Sequence, residues 1–87
     1  MNIKKGDILV DRKSLKAFPI LDVIDGHAYL ELGHRRAKRA LGQITRLQKK
    51  FILLKKGETI HKELAFFCPR TNKMIVLKAG TIFLGEV

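Results

Sequence analysis

Apolar and polar positions alternate in short runs along most of the chain, and turn residues mark where each run stops. Residues 8–10 (Ile-Leu-Val) follow a Gly-Asp pair and end in charged residues, which predicts a first strand. The runs at 18–24 and 27–31 flank Asp25-Gly26, a dipeptide suited to a two-residue hairpin turn, and predict two more strands. Pro19 has no N–H to donate to a ladder, so it is expected at a strand entrance or on a sheet edge. Beyond Gly57, the runs LAFFC, MIVLK and TIFLGEV are separated by turn residues at 69–72 and by Ala79-Gly80, which predicts a three-stranded meander.

Between these parts the periodicity changes. Ala37, Ala40, Ile44, Leu47, Phe51 and Leu54 recur at spacings of three and four, the pattern of one apolar stripe along a helix. Gly42 opposes a continuous helix, since glycine in a helix interior costs about 1 kcal/mol relative to alanine. The preferred reading is a mobile basic loop at 33–41, a short helical turn near 44–48, and a strand FILLKK. There is no internal repeat, and no linker rich in Pro, Ser or Gly divides the chain. The expectation is one mainly β domain over residues 1–87.

Charge adds what periodicity cannot. The chain has 87 residues with 18 Lys+Arg against 8 Asp+Glu, a net charge of +10. Nine of those bases lie between Gly33 and Gly57, namely Arg35, Arg36, Lys38, Arg39, Arg46, Lys49, Lys50, Lys55 and Lys56, with no acid among them. The rest of the chain is nearly neutral. A solvated face usually carries both signs, because charges of one sign repel each other. The window therefore reads as a phosphate-binding surface, with DNA or RNA as partner. Its arginines suit bidentate contacts to phosphate and its lysines suit point contacts along a backbone. His34 adds to those contacts, and Tyr29 and Phe51 are candidate platforms for unpaired bases, with Phe51 favoured as core. Gln43 and Gln48 are the nearby amides suited to reading base edges. An acidic surface on a host protein is the alternative partner, and a homodimer through the C-terminal strands is a further one.

Cys68 is the only cysteine, so an intrachain disulfide is excluded, and the histidines lack zinc-ligand spacing. A cytoplasmic location is expected, with no metal, no cofactor, no signal peptide and no membrane span. Catalytic signals are thin: Asp25 is accounted for by its turn, and Asp22 and Glu31 have no following Glu-x-Lys arrangement. Ser14, Thr45 and Thr59 lack an evident base, Cys68 reads as a buried strand end, and His34 and His61 are the remaining acid–base candidates. The chain is therefore expected to bind rather than to catalyse.

Lys-Gly-Asp-Ile at 5–8, the FPILDVIDGHAYLEL hairpin and ITRLQKKFILLKKG at 44–57 together resemble the small SH3-like barrels of the KOW and Tudor type, including short ones encoded by bacteriophages. The resemblance covers residues 4–57 and implies a binding module in a bacterium or phage-infected host, with residues 58–87 as a C-terminal β extension. The opening GDILV is also similar to MazF-type endoribonucleases. That family's pattern has an Arg-Pro pair before the second strand, where this chain has Ala17-Phe18-Pro19, so the arginine that would stabilise a scissile phosphate is missing.

Overall fold

Asp25 and Gly26 both adopt positive φ, 49° and 74°, the conformation of a type I′ turn whose twist matches the strands it joins. In the computed structural model, which describes residues 2–33 and 35–85, this turn connects β2 (Ala17–Ile24) to β3 (His27–Leu32). β1 (Ile8–Asp11) pairs antiparallel with β2, placing Leu9 opposite Phe18 and Ile8 opposite Pro19. Pro19 therefore lies in an inner strand rather than on an edge. The Ile20 N–H donates to the Asp7 carbonyl on the β1 side at 2.8 Å, so the missing Pro19 donor falls on the β3 side, where registered pairing begins only at Ile20 opposite Leu30.

The expected loop at 33–41 is instead a strand, β4 (Arg35–Ala40), paired with β3 along its whole length from Leu32 opposite Arg35 to His27 opposite Ala40. Its sequence RRAKRA hides the strand period, because Ala37 and Ala40 are three apart and fall on opposite faces of the sheet. Pairing with β3 supplies what local propensity does not.

From β4 the chain crosses one face of the sheet in α1 (Leu41–Arg46), which buries Ile44, and then a 3-10 turn (Gln48–Lys50). The helical segment starts three residues earlier than expected. β5 (Phe51–Leu54) then pairs antiparallel with β1, Leu53 opposite Leu9, and stops before Lys55 and Lys56. The result is a five-stranded antiparallel sheet in the order β4-β3-β2-β1-β5.

β6 (Leu64–Phe67) and β7 (Met74–Leu77) form a separate two-stranded sheet. The third strand of the expected meander does not form beside them. After Gly80 the chain turns back across residues 57–60: the Gly57 N–H donates to the Phe83 carbonyl at 2.7 Å, and the Phe83 N–H to the Glu58 carbonyl at 2.9 Å. This return buries Phe83 and leaves Ile82 and Leu84 exposed.

Alternation along β1 divides the apolar interior in two. Ile8 and Val10 face a core with Ala17, Leu54, Ile60, Phe66 and Phe83, closed by Leu64, Ile75 and Leu77 of the small sheet. Leu9 faces the other core with Ile3, Ile20, Ala28, Leu30 and Ile44. No described helix is long and apolar enough to cross a membrane.

Candidate nucleic-acid interface

β4 is an edge strand, and Arg35, Arg36, Lys38 and Arg39 are all exposed on it. Because directly opposed residues share a face, Arg35 and Arg39 stand with Leu32 and Ala28, while Arg36 and Lys38 stand with Glu31 and Tyr29 on the reverse. Tyr29 is half-buried beneath Lys38. The Arg39 guanidinium donates to the Lys38 carbonyl at 2.9 Å, a bond that leaves its charge uncompensated. His34 lies outside the described residues.

The other candidate bases separate into two places. Arg46 ends α1, and Lys49 and Lys50 lie in the 3-10 turn, all exposed. The Arg12 N–H donates to the Lys50 carbonyl at 2.9 Å, which brings the turn after β1 beside them. Asp11 sits at that junction. Backbone N–H groups of Ser14 and Lys13, and the charges of Lys50 and Lys13, hold its carboxyl below the usual carboxylate range. Arg12 and Lys13 thus join the Lys49–Lys50 group, which counting bases within one contiguous window overlooks; the signal was the Asp-Arg-Lys triplet at 11–13.

Lys55 and Lys56 lie past the end of β5, at the opposite edge from β4. Lys55 is committed: its Nζ is 3.1 Å from the buried Asp7 carboxylate and also donates to the Asn2 carbonyl. Asp7 further accepts from the backbone N–H groups of Lys4 and Lys56. The Lys56 stem lies over Gly6, where a Cβ would meet its Cδ at 2.9 Å. Neither lysine belongs to the surface built around β4.

An apolar cleft of about 500 Å³ opens between β4, α1 and β5. Leu9, Leu30, Phe18 and Phe51 line it, the two rings meeting edge to face with centroids 6.3 Å apart. Ala37 and Leu47 also contribute, as do Arg39, Gln43 and Arg46. Phe51 is therefore both packed against a core and part of a cavity wall.

The carboxylates weighed for catalysis are used locally. Asp22 accepts from the Val23 N–H at 2.9 Å. Glu31 receives Arg70 bidentately, Nε to Oε1 and Nη2 to Oε2, both at 2.8 Å. Those hydrogen bonds hold the Glu31 carboxyl below its ordinary range against the opposing push of burial. They also fasten the turn between β6 and β7 to β3, an anchor that nothing in the spacing of Glu31 and Arg70 announced. Among the described residues, no group of three His, Cys, Asp or Glu side chains is arranged to hold a metal. Cys68 is buried at the end of β6; burial pushes its thiol up, but hydrogen bonding from the backbone at Thr71 and Arg70 brings the net value below the ordinary one. His61 is exposed in the segment before β6.

Comparison with family models, with curated proteins and with solved structures finds no match to this chain.

Proposed function

We propose that the protein is a non-enzymatic nucleic-acid-binding module of SH3-like type that acts in the cytoplasm. The observation that carries this reading is β4: four bases project from one edge strand, and among the described residues none of them is ion-paired, the pairs present being Lys55–Asp7 and Arg70–Glu31. Strand order and the short helical crossover that returns β5 to β1 support the SH3-like part of the reading. The residue directly before Pro19 is Phe18, so the Arg-Pro pair of a MazF-type ribonuclease is absent.

Binding proceeds by release of counterions as guanidinium and ammonium groups replace them along the backbone. If β4 and Arg46 together meet five phosphates, log affinity should fall against log salt with a slope of about −3.5 on single strands and −4.5 on duplex DNA. Fluorescence anisotropy at about 50 and 200 mM salt should then show a loss of about a hundredfold or more. Replacing Arg35, Arg36, Lys38 and Arg39 by Ala should make the slope shallower by about three. A flat salt response in the wild type would sink the mechanism.

A second reading, an adaptor for an acidic host protein, is favoured by the apolar side chains of Met74, Val76, Ile82 and Leu84, which are exposed and which phosphate binding leaves unused. Equally weak nucleic-acid binding by wild type and the fourfold variant is the result expected of that reading.

A further inference from the structure

We propose that the cleft between β4, α1 and β5 receives an unpaired nucleobase of a single strand whose phosphates run along β4. The inference rests on the nucleic-acid reading and specifies its substrate class.

The cleft's volume of about 500 Å³ lies within the roughly 300–1,000 Å³ range of sites that enclose small organic groups. Its interior is apolar and includes two aromatic rings, while its charged members, Arg39 and Arg46, are exposed and not ion-paired among the described residues. An occupant that satisfies both parts has a flat apolar body and a negative group at one end. Leu47, 42% exposed, adds apolar surface beside α1 that no core residue covers. Gln43 brings an amide, with both donor and acceptor, to the same opening, which suits the polar edge of a base.

A strand is favoured over an isolated nucleotide because the cationic row continues beyond the cleft. From Arg35 to Arg39 the edge strand runs about 14 Å, long enough to track more than one phosphate. A paired base cannot be the occupant, since its polar edge is taken and its faces are stacked within the duplex. The same geometry gives Phe51 a role besides packing: it offers aromatic surface against which a base can stack.

The test compares two labelled DNA single strands of about 12 nucleotides, one of thymidine and one with the same phosphates but abasic sugars throughout. Anisotropy titrations at one salt concentration should show the thymidine strand binding about tenfold more tightly, the size expected of one stacked base. Ala37→Leu fills the cleft from the edge strand. It should bring the thymidine strand to within about twofold of the abasic one while leaving abasic binding unchanged. Leu47→Gln, at an exposed position where folding is not at stake, should reduce the same difference. Equal binding of the two strands by the wild type, with salt dependence retained, would overturn the base pocket and leave the phosphate reading standing. A base-dependent gain that persists in both variants would overturn the assignment to this cleft. If neither strand binds, the nucleic-acid reading fails and this inference fails with it.

Discussion

At one edge of the five-stranded sheet β4 presents Arg35, Arg36, Lys38 and Arg39 to solvent; at the other, β5 presents Phe51, Ile52, Leu53 and Leu54. An unpaired strand edge is a template for another chain, and the two edges meet that hazard differently. β4 carries charge that repels a second copy. β5 is drawn inward, with Ile52 and Leu54 against one core, Phe51 and Leu53 against the other, and residues 58–64 flanking a cleft of about 430 Å³ beside it. No residue of β4 belongs to either core. The strand that supplies core side chains is thus not the strand that carries the exposed bases, although its Phe51 also walls the cleft beside β4.

The largest expected effect tests that separation directly. Leu54→Ala removes a buried side chain from β5 and should cost about 2–4 kcal/mol in urea denaturation, a large part of the stability of a domain this small. The fourfold β4 variant, although it changes more side chains, should stay within about 0.5 kcal/mol of wild type, because exposed charges contribute little and their loss relieves repulsion. If the β4 variant were destabilised as much as Leu54→Ala, the two edges would not differ in the way described.

A smaller effect than that of Leu54→Ala concerns what holds the β4 side of the sheet to the β6–β7 hairpin. Glu31 has its folded pKa depressed by Arg70, so the pair contributes stability that is fully present above the unfolded carboxyl value of about 4.3 and is lost as pH falls through the lower folded value. With the Arg70 side chain 57% exposed, screening limits the contribution to about 1 kcal/mol or less. Denaturation of wild type and Arg70→Ala should therefore differ by a constant small amount between about pH 7 and 5 and converge as pH falls through the depressed carboxyl value of Glu31. A difference that grew on acidification would contradict the assigned sign.

Strands whose side chains alternate, or whose turns need special backbone angles, were legible in the amino-acid order. β1, β2, β3 and the two strands of the small sheet fall within a few residues of expectation, because Asp25-Gly26 and the apolar runs encode them locally. β4 was not legible, since an edge strand with exposed bases on both faces has no apolar alternation to read. The path after Gly80 was not legible either: TIFLGEV reads as an apolar strand run, but residues 80–83 pair with residues 57–60 rather than with the neighbouring β7. The site shows the same division. The exposed bases of β4, α1 and the 3-10 turn follow from composition, whereas the withdrawal of Lys55 by Asp7, 48 positions away, depends on tertiary closure. The cleft lined by Phe18 and Phe51 depends on the same closure, as it draws on residues from all five strands of the sheet and from α1.

β1 is a strand with no outside. Ile8 and Val10 are fully buried in one core and Leu9 in the other, so neither interior can open without stripping a wall from its neighbour. Two small interiors joined through three residues should behave as a single cooperative unit, and fluctuations that expose one core alone should be too rare to matter. Amide hydrogen exchange reads this directly: the protected N–H groups of β1, β2 and β5 should exchange at rates set by one global opening and respond together to added denaturant, while β4 frays at its own lower cost. Separate opening energies for amides beside the two cores would show that β1 divides the molecule rather than joining it.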